Sequence, residues 1–423
     1  MNEMPLNNSQ EPAVLIVGGG LAGLCCAREL HRRGLACQIL EATDDVGGRV
    51  RTDRIDGFLC DHGFQVLLTA YPEAQSVLDY DALQLARFQP GALIRYKGRF
   101  HRFADPWRQP RHALATILSP IASLPEKWRV GRLRRDLCQA DLPSLYERPE
   151  QTTIDRLHRA GFSSALLDRF FRPFMGGVFL ERELNTSSRK FDFLFRMFAT
   201  GQAAVPARGM GMIARQIADR LPPGTIRTGT PVERALPDGV RLASGQRLPA
   251  SAVVVAADGA SAGPLLGEPD STPWHGVTCL YFAADQSPVP QPVLVLNGDG
   301  KGPINNLCVP SEVSPDYAPD GQALISVSVL GVVPADRQET LQGQVLGQLH
   351  DWFGGTVDRW RHLKTYRIPR ALPDQSPPRL SPVSKPVRRP DGILVCGDHR
   401  HTASIQGAML SGRLAAEAIP ENR

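Results

Sequence analysis

The sequence predicts an α/β fold in which a parallel-sheet domain is assembled from separate stretches of chain around inserted α+β segments. Three observations lead there. An apolar run at residues 13–17 (A-V-L-I-V) ends in three glycines and opens a helical pattern. A second buried strand pattern, A-V-V-V-A-A, occupies residues 252–257, and a third occupies residues 393–396, close to the C-terminus. At 423 residues the chain is also too long for one compact core.

The first unit reads as a complete β-α-β. After the opening strand, Leu21, Leu24, Cys25, Ala27 and Leu30 are apolar while Arg28, Glu29, Arg32 and Arg33 are polar, as in an amphipathic helix. Gly34 stands where a C-cap glycine belongs, and residues 37–40 form a second strand ending at Glu41. Residues 100–145 change character: apolar segments at 113–118 and 121–124 precede a basic cluster of Lys127, Arg129, Arg132, Arg134 and Arg135. Residues 162–198 hold nine of the sixteen phenylalanines, and Phe191, Leu194, Phe195 and Phe198 share one helical face. Beyond Gly209, residues 212–221 read as helix, Pro231 and Val232 open a strand, and residues 278–283 and 323–330 favour strands. Residues 367–390 carry seven prolines and read as an extended connector, before a loop at 397–406 and a helix at 407–419. This division places residues 12–99, 205–275 and 391–423 in the discontinuous domain, and 100–204 and 276–390 in a substrate-binding domain.

With 48 basic and 43 acidic residues, the excess is too thin to argue for nucleic acid. Eight scattered cysteines show neither a C-x-x-C pair nor zinc spacing, so a reducing, cytoplasmic setting is expected and a metal site is not. Residues 1–11 are polar and read as a tail and not a signal peptide. No run approaches the ~18 apolar residues of a transmembrane helix.

Gly18-Gly19-Gly20-Leu21-Ala22-Gly23 fits G-x-G-x-x-G directly after a strand and at the opening of a helix. In a Rossmann-type unit Gly18 allows the tight turn, Gly20 lets backbone approach a pyrophosphate, and Gly23 lets helix and strand pack closely. The helix N-terminus then offers N–H groups and a positive dipole end to phosphate. Glu41, at the end of the second strand, can accept ribose hydroxyl hydrogen bonds and repels a 2′-phosphate, which disfavours NADP. The loop alone does not separate NAD from FAD. Val46-Gly47-Gly48-Arg49-Val50-Arg51-Thr52 follows, bringing a second glycine backbone and a cation suited to a diphosphate.

These motifs (V-G-G-G-L-A-G-L, L-E-A and G-G-R-V-R-T), with G-I-L-V-C-G-D and S-I-Q-G-A-M-L-S-G-R-L-A-A near the C-terminus, resemble the FAD-dependent amine oxidase superfamily. That group includes flavin amine oxidases, protoporphyrinogen oxidases and phytoene-type desaturases. The resemblance spans nearly the whole chain and implies a Rossmann-type, GR2-like FAD-binding domain with an inserted α+β substrate domain. It implies that Gly18, Gly20, Leu21, Ala22 and Gly23 wrap the pyrophosphate, that Glu41, beside Ala42, holds the adenosine ribose, and that Gly48 and Arg49 contact the diphosphate. Gly63 and Phe64 would approach the isoalloxazine, and the Val232 backbone would meet adenine. Gly397 and Asp398 would bind the ribityl or phosphate region, and Ile405, Gln406 and Ala408 the pyrimidine end. Two departures weigh against amine oxidation. Thr278 stands where amine oxidases often carry a lysine, and Ala403-Ser404-Ile405 lacks the aromatic residue that cages an amine.

Hydride transfer to a flavin needs a C–H held in a dry pocket, and a protein base is optional. Phe170, Phe171, Phe174 and Phe179 are candidates to line such a pocket or to form a helical core. His399, Arg400 and His401 are polar candidates beside Asp398, with His62 and Gln65 weaker ones. No nucleophile-base constellation assigns a catalytic residue. The expectation is an FAD-dependent enzyme that removes a hydride from a lipophilic substrate and passes electrons to oxygen or a quinone. The basic cluster at residues 127–135 and its apolar neighbours suggest peripheral contact with a membrane. Two rivals are an amine oxidase and a non-catalytic escort of prenylated or lipid cargo on the same fold.

Overall fold

The computed structural model describes residues 14–105, 108–110, 113–269 and 273–420, so the tail reading for residues 1–11 lies outside the described residues. The chain divides into two compact units, one within residues 1–48, 214–271 and 385–423, the other within 49–213 and 272–384.

The first unit is built on a five-stranded parallel sheet in the order Ile226–Arg227, Cys37–Leu40, Val14–Val17, Ala252–Val255 and Leu394–Val395. Val14–Val17 is central and buried along its length, which is why it reads as an unbroken apolar run and not as an alternation. From it the chain crosses through the helix Leu21–Arg32 to Cys37–Leu40 on one side, while Ala252–Val255 pairs on the other. The C-terminal end of Val14–Val17 is therefore a topological switch point, where such sheets hold their ligands. Gly34 adopts φ +72° just past the first helix, the expected C-cap conformation. A small antiparallel sheet of Val232–Leu236, Gly239–Leu242 and Arg247–Pro249 shares an apolar core with the parallel sheet through Ala235, Val240 and Leu242. The last helix, Ile405–Glu417, starts two residues earlier than its apolar pattern suggests, because Ser404 caps it by accepting from the Gly407 N–H at 3.1 Å. Its C-terminal end is clamped by Arg33, which donates to the carbonyls of Ala416 and, at 2.8 Å, Ile419.

The second unit holds a seven-stranded sheet in the order Arg361–Pro373, Trp274–Ala284, Ala323–Leu330, Asn306–Cys308, Leu294–Asn297, Gly91–Tyr96 and Arg99–Ala104. Two expectations change here. Residues 367–373 are strand and not connector, since Arg361–Pro373 pairs with Trp274–Ala284. It lies at the sheet edge, where prolines are tolerated. Residues 49–99, grouped by sequence with the cofactor segments, pack within the second unit, as do 205–213. Gly91–Tyr96 forms a hairpin with Arg99–Ala104 and pairs in parallel with Leu294–Asn297, so a cut after residue 99 would split a hairpin. The phenylalanine-rich helices form an aromatic core: Phe171, Phe179, Phe191 and Phe193 are buried, and Phe170 stacks on Phe174 at 5.3 Å. Among the described residues no helix is long and apolar enough to cross a membrane.

Following the G-G-R segment in sequence, the hairpin Thr52–Ile55/Phe58–Asp61 of the second unit ends on a buried carboxylate. Asp61 accepts from Thr52 Oγ1 at 2.5 Å, the Met210 N–H at 2.9 Å and Tyr317 OH at 2.8 Å, while its carbonyl accepts from Tyr281 OH at 3.0 Å. Burial outweighs these donors and pushes its pKa up to about 6. A carboxylate raised in the folded state contributes stability that is present below the unfolded pKa and is lost as pH rises through the folded one. Asp61→Asn has no such titration. The stability gap between wild type and Asp61→Asn should therefore narrow by about 2 kcal/mol between about pH 4 and about pH 8. Urea unfolding at the two pH values checks this; a constant or widening gap contradicts the assignment.

Candidate functional site: a dinucleotide cradle at the sheet switch point

Three glycine backbones shape the loop after Val14–Val17, each for a different physical reason. Gly18 takes φ +110° and sits so close to the Ala256 carbonyl that a Cβ would lie 2.9 Å from its oxygen. A Cβ on Gly23 would stand 2.0 Å from the Gly18 carbonyl oxygen, so the helix seats directly on the loop. Gly20 differs: a Cβ there meets nothing within 4 Å. Its open side lies at the N-terminus of Leu21–Arg32, which has no side-chain cap and no acid in its first turn. That combination leaves a positive helix end facing room for an anion.

Glu41 is buried at the rim of this loop. Its Oε2 accepts from the Gly19 N–H at 2.6 Å, and its Oε1 accepts from the Thr43 N–H and Thr43 Oγ1, both at 2.8 Å. These three hydrogen bonds fix the orientation of the carboxylate. A carboxylate offers about four lone-pair sites, so one remains for a ribose hydroxyl. Ala42 beside it is exposed. The Glu41 carbonyl accepts from the Thr230 N–H at 2.8 Å, which sets the start of Val232–Leu236 next to the same rim.

The second glycine pair closes on the first. Gly47 N–H donates to the Gly19 carbonyl at 2.9 Å, and a Cβ on Gly48 would lie 3.5 Å from the Cα of Gly20. The C-terminal segment arrives from the other side. Gly397, at φ +142°, packs its Cα face toward the Ala257 carbonyl and donates its N–H to Ser411 Oγ at 2.9 Å. Asp398 is buried in the short turn Asp398–Arg400. A Cβ on Gly412 would lie 2.0 Å from the Ala22 carbonyl oxygen, so Ile405–Glu417 lies directly against the glycine-loop helix. Gln406 is buried at its N-terminal end, with Ile405 and Ala408 half-buried beside it.

Of the expected site residues, Gly18 to Gly23, Glu41, Ala42, Gly48, Val232, Gly397, Asp398, Ile405, Gln406 and Ala408 all belong to this unit. Arg49, Gly63 and Phe64 belong to the other. There, Arg49 donates to the Ala371 carbonyl at 2.9 Å and lies over the Trp274 ring at 5.5 Å. Gln65 donates to the Arg49 and His62 carbonyls, and His62 Nε2 stands 3.0 Å from Asp53 Oδ1. Gly63 takes φ +85° against Ile368 and Val277, and Phe64 meets Phe88 edge-on at 6.1 Å. Thr278 is buried, with its hydroxyl donating to the Gly331 carbonyl at 3.0 Å. His401 is pushed down to about 4 by burial, and its Nδ1 accepts from the Thr402 N–H at 2.8 Å. It is therefore a neutral structural ring at neutral pH. Arg400 donates to the Pro386 carbonyl and ties down the segment that precedes the last strand.

The sequence reading missed Thr43, Ser411 and Gly412. Thr43, two residues after Glu41, is the one local signal that was available, since a hydroxyl there can hold the carboxylate in an Asx-like turn. The roles of Ser411 and Gly412 depend on which helix they meet.

The arrangement fits a flavin dinucleotide on its diphosphate and adenosine side, since Gly20 leaves open space beside an uncapped helix end and a carboxylate fixed by hydrogen bonds. A sequence profile for flavin containing amine oxidoreductases matches residues 21–420. Coproporphyrinogen III oxidase of Propionibacterium freudenreichii subsp. freudenreichii is 26% identical over 75% of this chain and 72% of its own length. Carotenoid phi-ring synthase of Streptomyces griseus is 26% identical over 97% of this chain and 88% of its own. Protoporphyrinogen oxidase 2 of Arabidopsis thaliana is 27% identical over 39% of this chain, and the match spans only 32% of that protein. An oxidoreductase structure from Methanosarcina mazei shares the fold at TM-score 0.74, with 16% identity over 96% of this chain and 99% of its own.

Two kinds of glycine variant should separate. Gly20→Ala should leave the thermal midpoint of the cofactor-free protein unchanged and weaken FAD binding roughly tenfold, because the methyl enters the ligand's space. Gly412→Ala should destabilise the protein itself by about 1–3 kcal/mol through overpacking. Equal thermal midpoints for the two variants would contradict the geometry. Glu41→Ala should weaken FAD binding by about 1–3 kcal/mol, read by quenching of flavin fluorescence on titration.

Proposed function

This chain belongs to the flavin containing amine oxidoreductase family, a family of FAD-dependent oxidoreductases, and from that premise we propose that it removes a hydride from a lipophilic substrate of tetrapyrrole or polyene type. FAD, when bound, supplies a two-electron acceptor for hydride. In this reading Gly18, Gly20 and the N-terminus of Leu21–Arg32 bind the diphosphate, with Leu21, Ala22 and Gly23 forming the first helical turn around it. Glu41 orients the adenosine ribose, the Val232 backbone meets adenine, and Gly48 and Arg49 approach the diphosphate. Gly397 and Asp398 take the ribityl side. The uncharged N-terminal turn of Ile405–Glu417, with Gln406, favours negative charge at the pyrimidine end through its dipole. Gly63 and Phe64 are assigned to the ring side.

The observation that carries the substrate class is the reach of the similarity. The matches to a coproporphyrinogen oxidase and a carotenoid synthase run along 75% and 97% of this chain. The chemistry agrees with it. Thr278, at the position read as the lysine of amine oxidases, spends its hydroxyl on a backbone carbonyl. Ser404 caps a helix where an amine cage needs an aromatic ring. Phe170, Phe171 and Phe174 pack on one another in the aromatic core of the second unit. Oxygen or a quinone is the electron acceptor in this reading.

The purified protein should carry a visible flavin spectrum. That band should bleach anaerobically with coproporphyrinogen III or an acyclic polyene and remain unchanged with putrescine, then return on admitting oxygen or a soluble quinone. Bleaching by simple amines alone would assign the chain to amine oxidation instead.

A further inference from the structure

Among the described residues, the large apolar side chains open to solvent are Leu114 (67% exposed), Ile117 (51%), Leu118 (73%), Leu124 (63%) and Trp128 (66%). All five come from one helix pair of the second unit, Ala113–Leu118 and Leu124–Gln139. A cluster of this kind is unusual, because apolar residues on a soluble surface are ordinarily scattered singly.

The cluster is held out by a polar frame. Thr116, buried on the inner side of the first helix, hydrogen-bonds the Ala104 backbone through its hydroxyl, at 3.1 Å to the N–H and 3.4 Å to the carbonyl. Lys127 Nζ donates to the carbonyls of Ile117 at 2.7 Å and Ser119 at 2.9 Å, which stitches the end of the first helix to the second. Glu126 accepts from the N–H groups of Ser123 (2.9 Å) and Ser163 (3.1 Å) and from their hydroxyls. Thr116, Glu126 and Lys127 are thereby engaged by the protein itself, and the five apolar side chains stand outside them.

Charge identifies the occupant. Leu124, Trp128, Arg132 and Arg135 fall at i, i+4, i+8 and i+11, one face of the second helix. Arg132 and Arg135 are exposed, with the Arg132 guanidinium 5.5 Å from the Trp128 ring. The acids of the same helix are turned elsewhere: Glu126 to Ser123 and Ser163, and Asp136 to Arg148 at 3.0 Å and Arg156 at 3.7 Å. An apolar tip backed by arginines matches the acyl boundary and the phosphate layer of an anionic bilayer in that order. A second copy of the chain would bring the same cations face to face.

We propose that this helix pair is a docking surface for an anionic phospholipid bilayer. The proposal rests on the lipophilic-substrate reading only for its purpose, since the binding is measured with no substrate present. The test sediments full-length holoprotein with sucrose-loaded vesicles of phosphatidylcholine alone or of equimolar phosphatidylcholine and phosphatidylglycerol. Wild type should bind the mixed vesicles and bind less at high salt. Leu118→Ser with Trp128→Ser should weaken binding at least about tenfold, and so, independently, should Arg132→Glu with Arg135→Glu. Both double variants should keep wild-type flavin content and thermal midpoint, as their side chains face solvent. Failure of wild type to sediment with mixed vesicles, or undiminished binding by both double variants, would overturn the proposal. So would a solution dimer that the Leu118→Ser, Trp128→Ser variant dissolves. Vesicle binding without turnover of any lipophilic substrate would sink the proposed function and leave the docking surface standing.

Discussion

The cradle depends on backbone meeting backbone with no side chain between. Around Gly18–Gly23, the Ala256 carbonyl presses on Gly18, Gly47 and Gly48 close on Gly19 and Gly20, and Gly412 rests on the Ala22 carbonyl. Four stretches of chain converge there. Interiors are already packed at crystalline density, so a methyl at most of these points has nowhere to go. Gly20 is the exception within the same few residues, and that difference separates the part of the loop that packs against the fold from the part that is open.

Local signals made much of this cradle legible. The first strand, its helix, the second strand and Glu41 follow one another in sequence, and the period and caps announce each of them. Pairings across long separations did not announce themselves. Residues 91–96 were grouped with the wrong unit because their partner is Leu294–Asn297, about two hundred positions away, and nothing local names it. Residues 367–373 looked like connector because prolines oppose a central strand, yet an edge strand accepts them. Gly412 and Ser411 lie within the quoted C-terminal motif, but their contacts were unreadable for the same reason: their meaning lies in Ala22 and Gly397, not in their neighbours.

Histidine readings show a different limit. His401 is near the expected flavin segment and looked like a candidate acid or base. Its burial depresses its pKa and its Nδ1 is taken by the next residue's N–H, so it braces the turn before the last helix. Sequence places a titratable group but does not desolvate it. The same holds for Asp61, whose neighbours in sequence gave no sign that a buried tyrosine pair and a backbone N–H from Met210 would gather on it.

The clamp of Arg33 on the carbonyls of Ala416 and Ile419 joins the end of Leu21–Arg32 to the end of Ile405–Glu417. The two are far apart in sequence. The strand Leu394–Val395 and the helix Ile405–Glu417 complete a sheet and a helix layer that the N-terminal β-α-β began. Gly412 of that helix covers the glycine-loop helix at Ala22, and Gly397 follows the strand at the end of the sheet. The cradle is therefore complete only once residues 394–417 have joined the sheet and helix layer begun by residues 14–40, which makes it a product of long-range closure and not of one local unit.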